Sequence, residues 1–441
     1  MSFKLKSALL SLIGVMGAIV LSGCGGGGGA TGSGGGTEPP KGGTADWTVL
    51  VYLNAANSLQ GFGGFNVHQM EQAGSTSNVN IVVQWKQGVC ADCSDNECNS
   101  VNGNCYNPDW KDTRRYYIVH NTDPTTIKST LVQDMGPNID MGNWQTLQNF
   151  IVWGQQNYPA NHYALIVWDH GEGWVNVYRG LSKHPQSALV KPRSVSLDET
   201  TMNEIETWQL SQALTGSKPL DVVAFDACLM QMTEIAYEIR NQATYLVGSE
   251  DSTPANGYPY MTFLSDLDTN PTMSPLQFSQ DIVNQTVNYY SQNPQLVGTQ
   301  GVTQSVVSLA QMTNLNSSLN SFADALLNND TQAGVQQAAV KAEQNAQGYA
   351  SPNGYYENLD MWDYANWIKN STSNSAVDTA ANNLQSAIGS AVLYQKLYQD
   401  PNSHGLAIYV PVPYDYDTAY SNLALARVND WPKWLQFQAQ L

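Results

Sequence analysis

The chain has 441 residues, 42% hydrophobic and only 13% charged, with a formal net charge of −18. That is ample material for a core in one large or two ordinary domains. The acidity excludes a nucleic-acid partner, because phosphate binding needs clustered Lys and Arg, and it favours cationic ligands or simply serves solubility.

Lys4 and Lys6 precede an apolar run from Ala8 to Leu21, too short to span a membrane comfortably. It ends in Leu21-Ser22-Gly23-Cys24, which resembles a bacterial lipoprotein signal; an ordinary secretory signal with an incidental cysteine is the other reading. The resemblance implies removal of residues 1–23 and acylation of Cys24, giving an exported protein lipid-anchored to the cell envelope. Gly25, where an inner-membrane protein would carry Asp, points to the outer membrane. Residues 24–45, with their glycine runs and Pro39-Pro40, form a tether. No second transmembrane candidate follows.

From Asp46 the pattern alternates. Asp46–Leu53 predicts a first strand and Asn54–Asn57 its exit turn; a polar helix runs through Met70 and Glu71, and Val79–Trp85 is the second strand. A cysteine-rich insertion occupies 86–113. Arg114–His120 reads as a third, edge strand, Trp144–Asn157 as a helix before Pro159, and His162–Trp168 as a buried strand. Asp198–Leu214 is predicted helical, with Asp198 as cap and Leu197 and Met202 as a hydrophobic staple. The strand Asp221–Asp226, a helix from Leu229 to Asn241 and the strand Thr244–Ser249 close the set. Strands alternating with helices predict an α/β fold with a mostly parallel sheet covered on both faces. Residues 46–270 would form this α/β domain, and 271–441 a mainly helical extension (317–327, 332–347 and 376–398) with a late strand near 405–411.

Six cysteines are present. Cys90, Cys93, Cys98 and Cys105 crowd into one Asn- and Asp-rich loop, which an exported protein would use for two disulfides of undetermined pairing. A four-thiolate zinc site is the rival, because Cys90 and Cys93 have metal-ligand spacing and the second pair does not. Cys228 has no local partner.

Two apolar runs, Ala164-Leu-Ile-Val-Trp-Asp-His170-Gly171 and Asp221-Val-Val-Ala-Phe-Asp226-Ala-Cys228, each end in one reactive side chain. In open α/β sheets, chemistry gathers beyond the carboxyl ends of the strands, so a histidine at one end and a cysteine at another suggest a Cys-His nucleophilic site. Trp168-Asp-His-Gly-Glu-Gly-Trp174 followed by Asp226-Ala-Cys-Leu-Met230 resembles the clostripain family of cysteine peptidases, within the broader group that includes caspases and gingipains. The resemblance extends over 46–260 and, more weakly, into Leu359–Asp363 and His404–Pro411.

That resemblance implies a caspase-like three-layer sandwich and an endopeptidase acting on protein or peptide substrates. Cys228 would be the nucleophile and His170 its proton-transfer partner, with no cofactor required and calcium needed in some relatives; no metal ligands are assigned. A helix beginning at Leu229 would lower the thiol pKa. The backbone N–H groups of Gly171 and Cys228 are the candidate oxyanion donors. Asp169 is set aside, since neighbours on a strand point to opposite faces. Asp226 shares the face of Cys228 and, by resemblance, would select Arg or Lys before the scissile bond. Where relatives carry a second acid this chain has Asn256, with Glu250 or Asp251 as candidate substitutes. The 179–193 loop holds four of the nineteen basic residues; in relatives a loop here is cut, which makes Lys183 and Arg193 candidate autoprocessing points. A surface-anchored binding protein that kept the fold and lost turnover is the alternative. A metal-dependent hydrolase is undercut by six histidines without paired ligand spacing.

Overall fold

Val49–Leu53, Leu165–Trp168 and Val222–Phe225 are apolar at successive positions, the pattern of strands covered on both faces, and every one of these residues is buried. The structure, a computed structural model, describes residues 43–88, 110–123, 126–174, 194–349 and 357–441. Cys24, the four loop cysteines, Lys183 and Arg193 lie outside these residues.

In chain order the strands are β1 (Ala45–Ala55), β2 (Val79–Gln87), β3 (Thr113–Tyr117), β4 (Thr130–Gly136), β5 (Ala160–Trp168), β6 (Ser194–Asp198) and β7 (Asn203–Glu206). They continue with β8 (Leu220–Asp226), β9 (Ala243–Gly248), β10 (Val302–Ser308), β11 (Gly348–Tyr349), β12 (Asn358–Asp360), β13 (Val392–Tyr398) and β14 (Ala407–Tyr409). A nine-stranded sheet has the order β13-β10-β9-β8-β5-β1-β2-β3-β4. Its middle, β9-β8-β5-β1-β2, is parallel, and each edge is finished by antiparallel pairing.

The α-helices are α1 (Gln60–Ala73), α2 (Trp144–Asn157), α3 (Leu210–Ala213), α4 (Thr233–Glu238), α5 (Tyr260–Thr269) and α6 (Pro275–Gln292). After them come α7 (Met312–Leu327), α8 (Ala333–Asn345), α9 (Met361–Ser371), α10 (Ser375–Ala391) and α11 (Trp431–Gln438). Alternation along the strands divides the core in two. Val49, Val51, Ile166, Trp168 and Ala224 pack with α1, α5 and α6. Leu50, Tyr52, Leu165, Val167 and Phe225 pack with the other helices. The result is the three-layer α/β sandwich that the pattern predicts, and no described helix is long and apolar enough to cross a membrane.

Several elements differ from the sequence reading. The third strand is not an edge, because β4 adds outside it. The predicted 198–214 helix is instead the β6–β7 hairpin, a 3-10 turn and the short α3. Asp198 caps no helix: its carboxylate accepts from Lys86 Nζ at 2.6 Å, from the Met141 N–H at 2.9 Å and, in the hairpin turn, from the Thr200 N–H at 3.1 Å. The α4 helix starts at Thr233 rather than Leu229. Beyond residue 270, β10 and β13 join the main sheet, and β13 takes the end of a segment predicted as helix. The late strand, β14, pairs instead with β12 in a small sheet.

The C-terminal third is fastened directly behind the Cys228 turn. The Ala407 N–H donates to the Gln231 carbonyl (3.0 Å). Glu234 Oε1 accepts from the Tyr409 N–H (3.0 Å) and the Tyr420 hydroxyl (2.7 Å). Gln231 Nε2 donates to Ser305 Oγ on β10 (2.7 Å).

Lys86 and Asp198 form an ion pair whose side chains are 1% and 0% exposed; Lys86 Nζ also donates to the Ile139 carbonyl and Thr200 Oγ1, both at 2.7 Å. Removing one member leaves the other charged, buried and unpaired. Asp198→Ala is therefore expected to cost about 3–5 kcal/mol in equilibrium urea unfolding; a loss under about 1 kcal/mol would show that the pair is not a structural anchor.

Candidate active site

Parallel pairing sets Leu53 beside Trp168 and Trp168 beside Asp226, so three neighbouring strands end on one level. His170, Cys228 and Asp226 line one cavity of about 190 Å³, together with Leu59, Trp168 and the loop residues Thr253 to Ala255 and Gly257.

Cys228 sits on a sharp turn. Leu229 has φ of 62°, a left-handed conformation that costs a non-glycine residue energy and persists where the surroundings impose it. Those surroundings are the 249–253 segment. The Leu229 N–H donates to the Asp251 carbonyl (3.2 Å) and the Gln231 N–H to the Ser249 carbonyl (3.0 Å). Thr253 Oγ1 donates to the Ala227 carbonyl at 3.1 Å, and the Thr253 N–H to Cys228 Sγ at 3.3 Å. The Cys228 N–H donates to no group among the described residues, which leaves it available to a ligand. Because α4 begins four residues later than the sequence reading required, no helix N-terminus acts on the sulfur. Burial, with the charges of Asp251 and Asp226 adding to it, pushes the thiol up to about 11.

His170 is half-buried, and burial pushes its imidazole down to about 4. Its Nε2 lies 2.9 Å from Ser58 Oγ. Asp169 does not touch the ring. Its Oδ1 accepts from the His170 backbone N–H and from Asn57 Nδ2, each at 2.6 Å, and it clamps the ends of β5 and β1 together. Gly171 is held against the Cys228 turn: a Cβ there would lie 2.4 Å from the Cys228 carbonyl oxygen and 2.9 Å from Ala227 Cβ. The close approach demands glycine.

Asp226 is 3% exposed. Its Oδ2 accepts from the Tyr258 N–H and the Tyr260 hydroxyl, both at 2.9 Å, while Oδ1 is buried without a partner among the described residues. Burial outweighs the two donors and pushes the carboxyl up to about 7. Gly257 (φ 68°) would place a Cβ 2.7 Å from Oδ2, so only glycine lets the loop close over the carboxylate. Asn256 is not a wall of the cavity; its carbonyl accepts from Asn66 Nδ2 at 2.9 Å. Glu250 and Asp251 are not walls either. The Glu250 carboxylate accepts from the Gly405 N–H at 2.9 Å, on the side of the C-terminal third. Among the described residues no group of three or more His, Cys, Asp or Glu side chains could hold a metal ion.

Comparison with known proteins decides the lineage. The Clostripain family profile matches residues 51–428. The chain belongs to the clostripain family. It is 26% identical over 229 residues to clostripain of Hathewaya histolytica, a match covering 48% of this chain and 40% of that protein. The fold is shared with an inactive zymogen C11 protease from Parabacteroides distasonis, at 20% identity and a TM-score of 0.61, covering 87% of this chain and 98% of that one. It is shared too with a secreted C11 cysteine protease from Bacteroides thetaiotaomicron in complex with an irreversible peptide inhibitor, at 16% identity and a TM-score of 0.59, covering 89% and 99%.

Sequence reasoning overlooked Asn57, Ser58, Asn66 and Thr253. The first two follow β1 on the edge where β5 ends, so a parallel order β1-β5-β8 would have nominated them. Asn66 on α1 accepts from Trp168 Nε1 (2.8 Å), a contact with no local signal.

A carboxyl whose folded pKa is raised holds its proton more tightly when folded, so its contribution to stability is complete below the ordinary carboxylate range and is lost as pH rises through about 7. Relative to Asp226→Asn, the wild-type chain should lose roughly 2–4 kcal/mol between pH 4 and 8, read from urea unfolding at each pH. Parallel curves for the two proteins would refute the assignment.

Proposed function

We propose that the chain is a cysteine endopeptidase in which Cys228 is the nucleophile and His170 the base, cutting after Arg or Lys. The observation that carries this reading is one cavity lined by Cys228, His170 and a buried carboxylate with a vacant oxygen, Asp226 Oδ1. Membership of a cysteine peptidase family supports the class of reaction.

In the free protein the thiol and the imidazole are both neutral, so the imidazole acts as a general base at the moment of attack. The Sγ proton passes to His170 as sulfur bonds to the scissile carbonyl carbon, and the carbonyl π pair moves onto oxygen. The Cys228 N–H, which no group among the described residues uses, is the first candidate donor to that oxyanion, with Gly171 as the second. Collapse breaks the C–N bond and the imidazolium protonates the departing amine. Water, deprotonated by His170, then hydrolyses the thioester.

A guanidinium or ammonium beside Asp226 supplies the missing partner of Oδ1 and restores its charge, whereas a neutral guest leaves a buried acceptor unpaired. Asn256, Glu250 and Asp251 do not line the cavity, and of the two carboxylates that do, Asp169 is held by the His170 N–H and Asn57 Nδ2, so this reading puts the selection on Asp226. Cutting at Lys183 or Arg193, export, and anchoring through Cys24 complete the reading; their support is the sequence. The chemistry in this reading draws on side chains and backbone N–H groups, and calcium is a condition to vary.

The test is turnover of fluorogenic peptides ending in Arg, Lys, Asp or Asn by the full chain, with and without calcium. Cys228→Ala and His170→Ala should each lower kcat by roughly a thousandfold or more. Wild-type KM for the Arg peptide should fall as pH rises from 6 to 8, as Asp226 gives up its proton. Asp226→Asn should raise KM and flatten that dependence. Absence of turnover on every peptide, after nicking at 179–193 as well, would leave the fold as a surface binding protein.

A further inference from the structure

The dyad has a third member that neither its sequence motif nor its family assigns: we propose that Ser58 is the positioning residue of His170, accepting the Nε2–H so that Nδ1 is the nitrogen left to take the Cys228 proton. This rests on the peptidase reading above.

The contact is 2.9 Å between Ser58 Oγ and His170 Nε2, and Nδ1 has no hydrogen-bond partner among the described residues. In a neutral imidazole one nitrogen donates and the other accepts, and whichever partner one nitrogen holds decides the role of the other. Serine hydroxyls are exposed and mobile as a rule, so what matters is how Ser58 is held. Both its neighbours are fixed. Asn57 Nδ2 donates to Asp169 Oδ1 (2.6 Å) and to the Leu197 carbonyl (2.9 Å), while Asn57 Oδ1 accepts from the Leu59 N–H (2.9 Å). Asp169 Oδ1, in turn, accepts from the His170 backbone N–H. One carboxylate therefore ties together the residue before the serine and the histidine's own backbone, which fixes the hydroxyl and the ring in a common frame. Ser58 itself is exposed, and Leu59, the next residue, lines the cavity.

The chemical consequence falls on the imidazolium. Once His170 has taken the thiol proton, both nitrogens donate, and an Nε2–H already aimed at an oxygen gains a charge-assisted hydrogen bond. That gain occurs after proton transfer and not in the bound ground state, so it belongs to kcat rather than KM.

The experiment compares the full-length wild type with Ser58→Ala and Ser58→Thr. Side-chain nitrogen NMR of histidine-labelled protein, with His170 assigned by its own substitution, reads the tautomer. The wild type and Ser58→Thr should show a protonated Nε2 and an unprotonated Nδ1 at His170, and Ser58→Ala a mixture. With the Arg peptide, Ser58→Ala should lose roughly tenfold in kcat at unchanged KM and unchanged melting temperature, and Ser58→Thr should recover most of it. An Nδ1–H tautomer in the wild type, or a loss of kcat with the tautomer unaltered, would overturn the proposal. Because the tautomer is read without turnover, a wild type that cleaves no peptide defeats the peptidase reading alone and leaves Ser58 decided by the spectrum.

Discussion

Burial on both faces leaves the five parallel strands little freedom of register. Moving β5 by one residue against β1 would carry Ala164, Ile166 and Trp168 into the core now filled by Leu165 and Val167. The present pairing, which levels Leu53, Trp168 and Asp226, is thus imposed by hydrophobic packing well below the site. Everything catalytic in the reading above is a corollary of that alignment: the residues just past three strand ends have nowhere to emerge except beside one another.

Two carboxylates of the same edge are put to different use by their surroundings. Asp169 spends one oxygen on a backbone N–H and an amide and works as a rivet between strands. Asp226 spends one oxygen on Tyr258 and Tyr260. Each carboxylate lines the cavity and has its second oxygen without a partner among the described residues, so the difference lies in what the first oxygen holds. Both are pushed upward by burial, so neither is a standing charge in the ordinary sense. A buried carboxyl of this kind is costly to ionise without a cation beside it.

The strand pattern and the two reactive residues were legible because they are local. An apolar run of strand length reads as buried whatever its neighbours, and His170 and Cys228 each stand at the end of one. Elements set by distant partners were not legible. Asp198 has the look of a helix cap until Lys86, 112 residues away, claims it. The 392–398 segment prolongs an Ala- and Asn-rich helix in sequence, yet β10 offers it an open edge and it pairs there. The helix expected at Leu229 is delayed because hydrogen bonds from the 249–253 segment hold the turn in a left-handed conformation. The contact of Ser58 with His170 depends on strand order, which composition and periodicity do not reveal.

The bracing behind Cys228 also governs the order in which the molecule can be assembled. Gln231 and Thr233 find their partners on β10 and at Ala407, the latter 174 residues further along the chain. A chain growing from its N-terminus therefore completes β1, β5 and β8 long before it possesses the residues that steady the Cys228 turn. Contacts of such long sequence separation close late. Until β10 arrives, β9 presents an open sheet edge, of the kind that invites pairing with other chains. The thiol thus gains its final setting only when nearly the whole polypeptide is present, and a shortened product would keep the two motifs while lacking the scaffold that orients them.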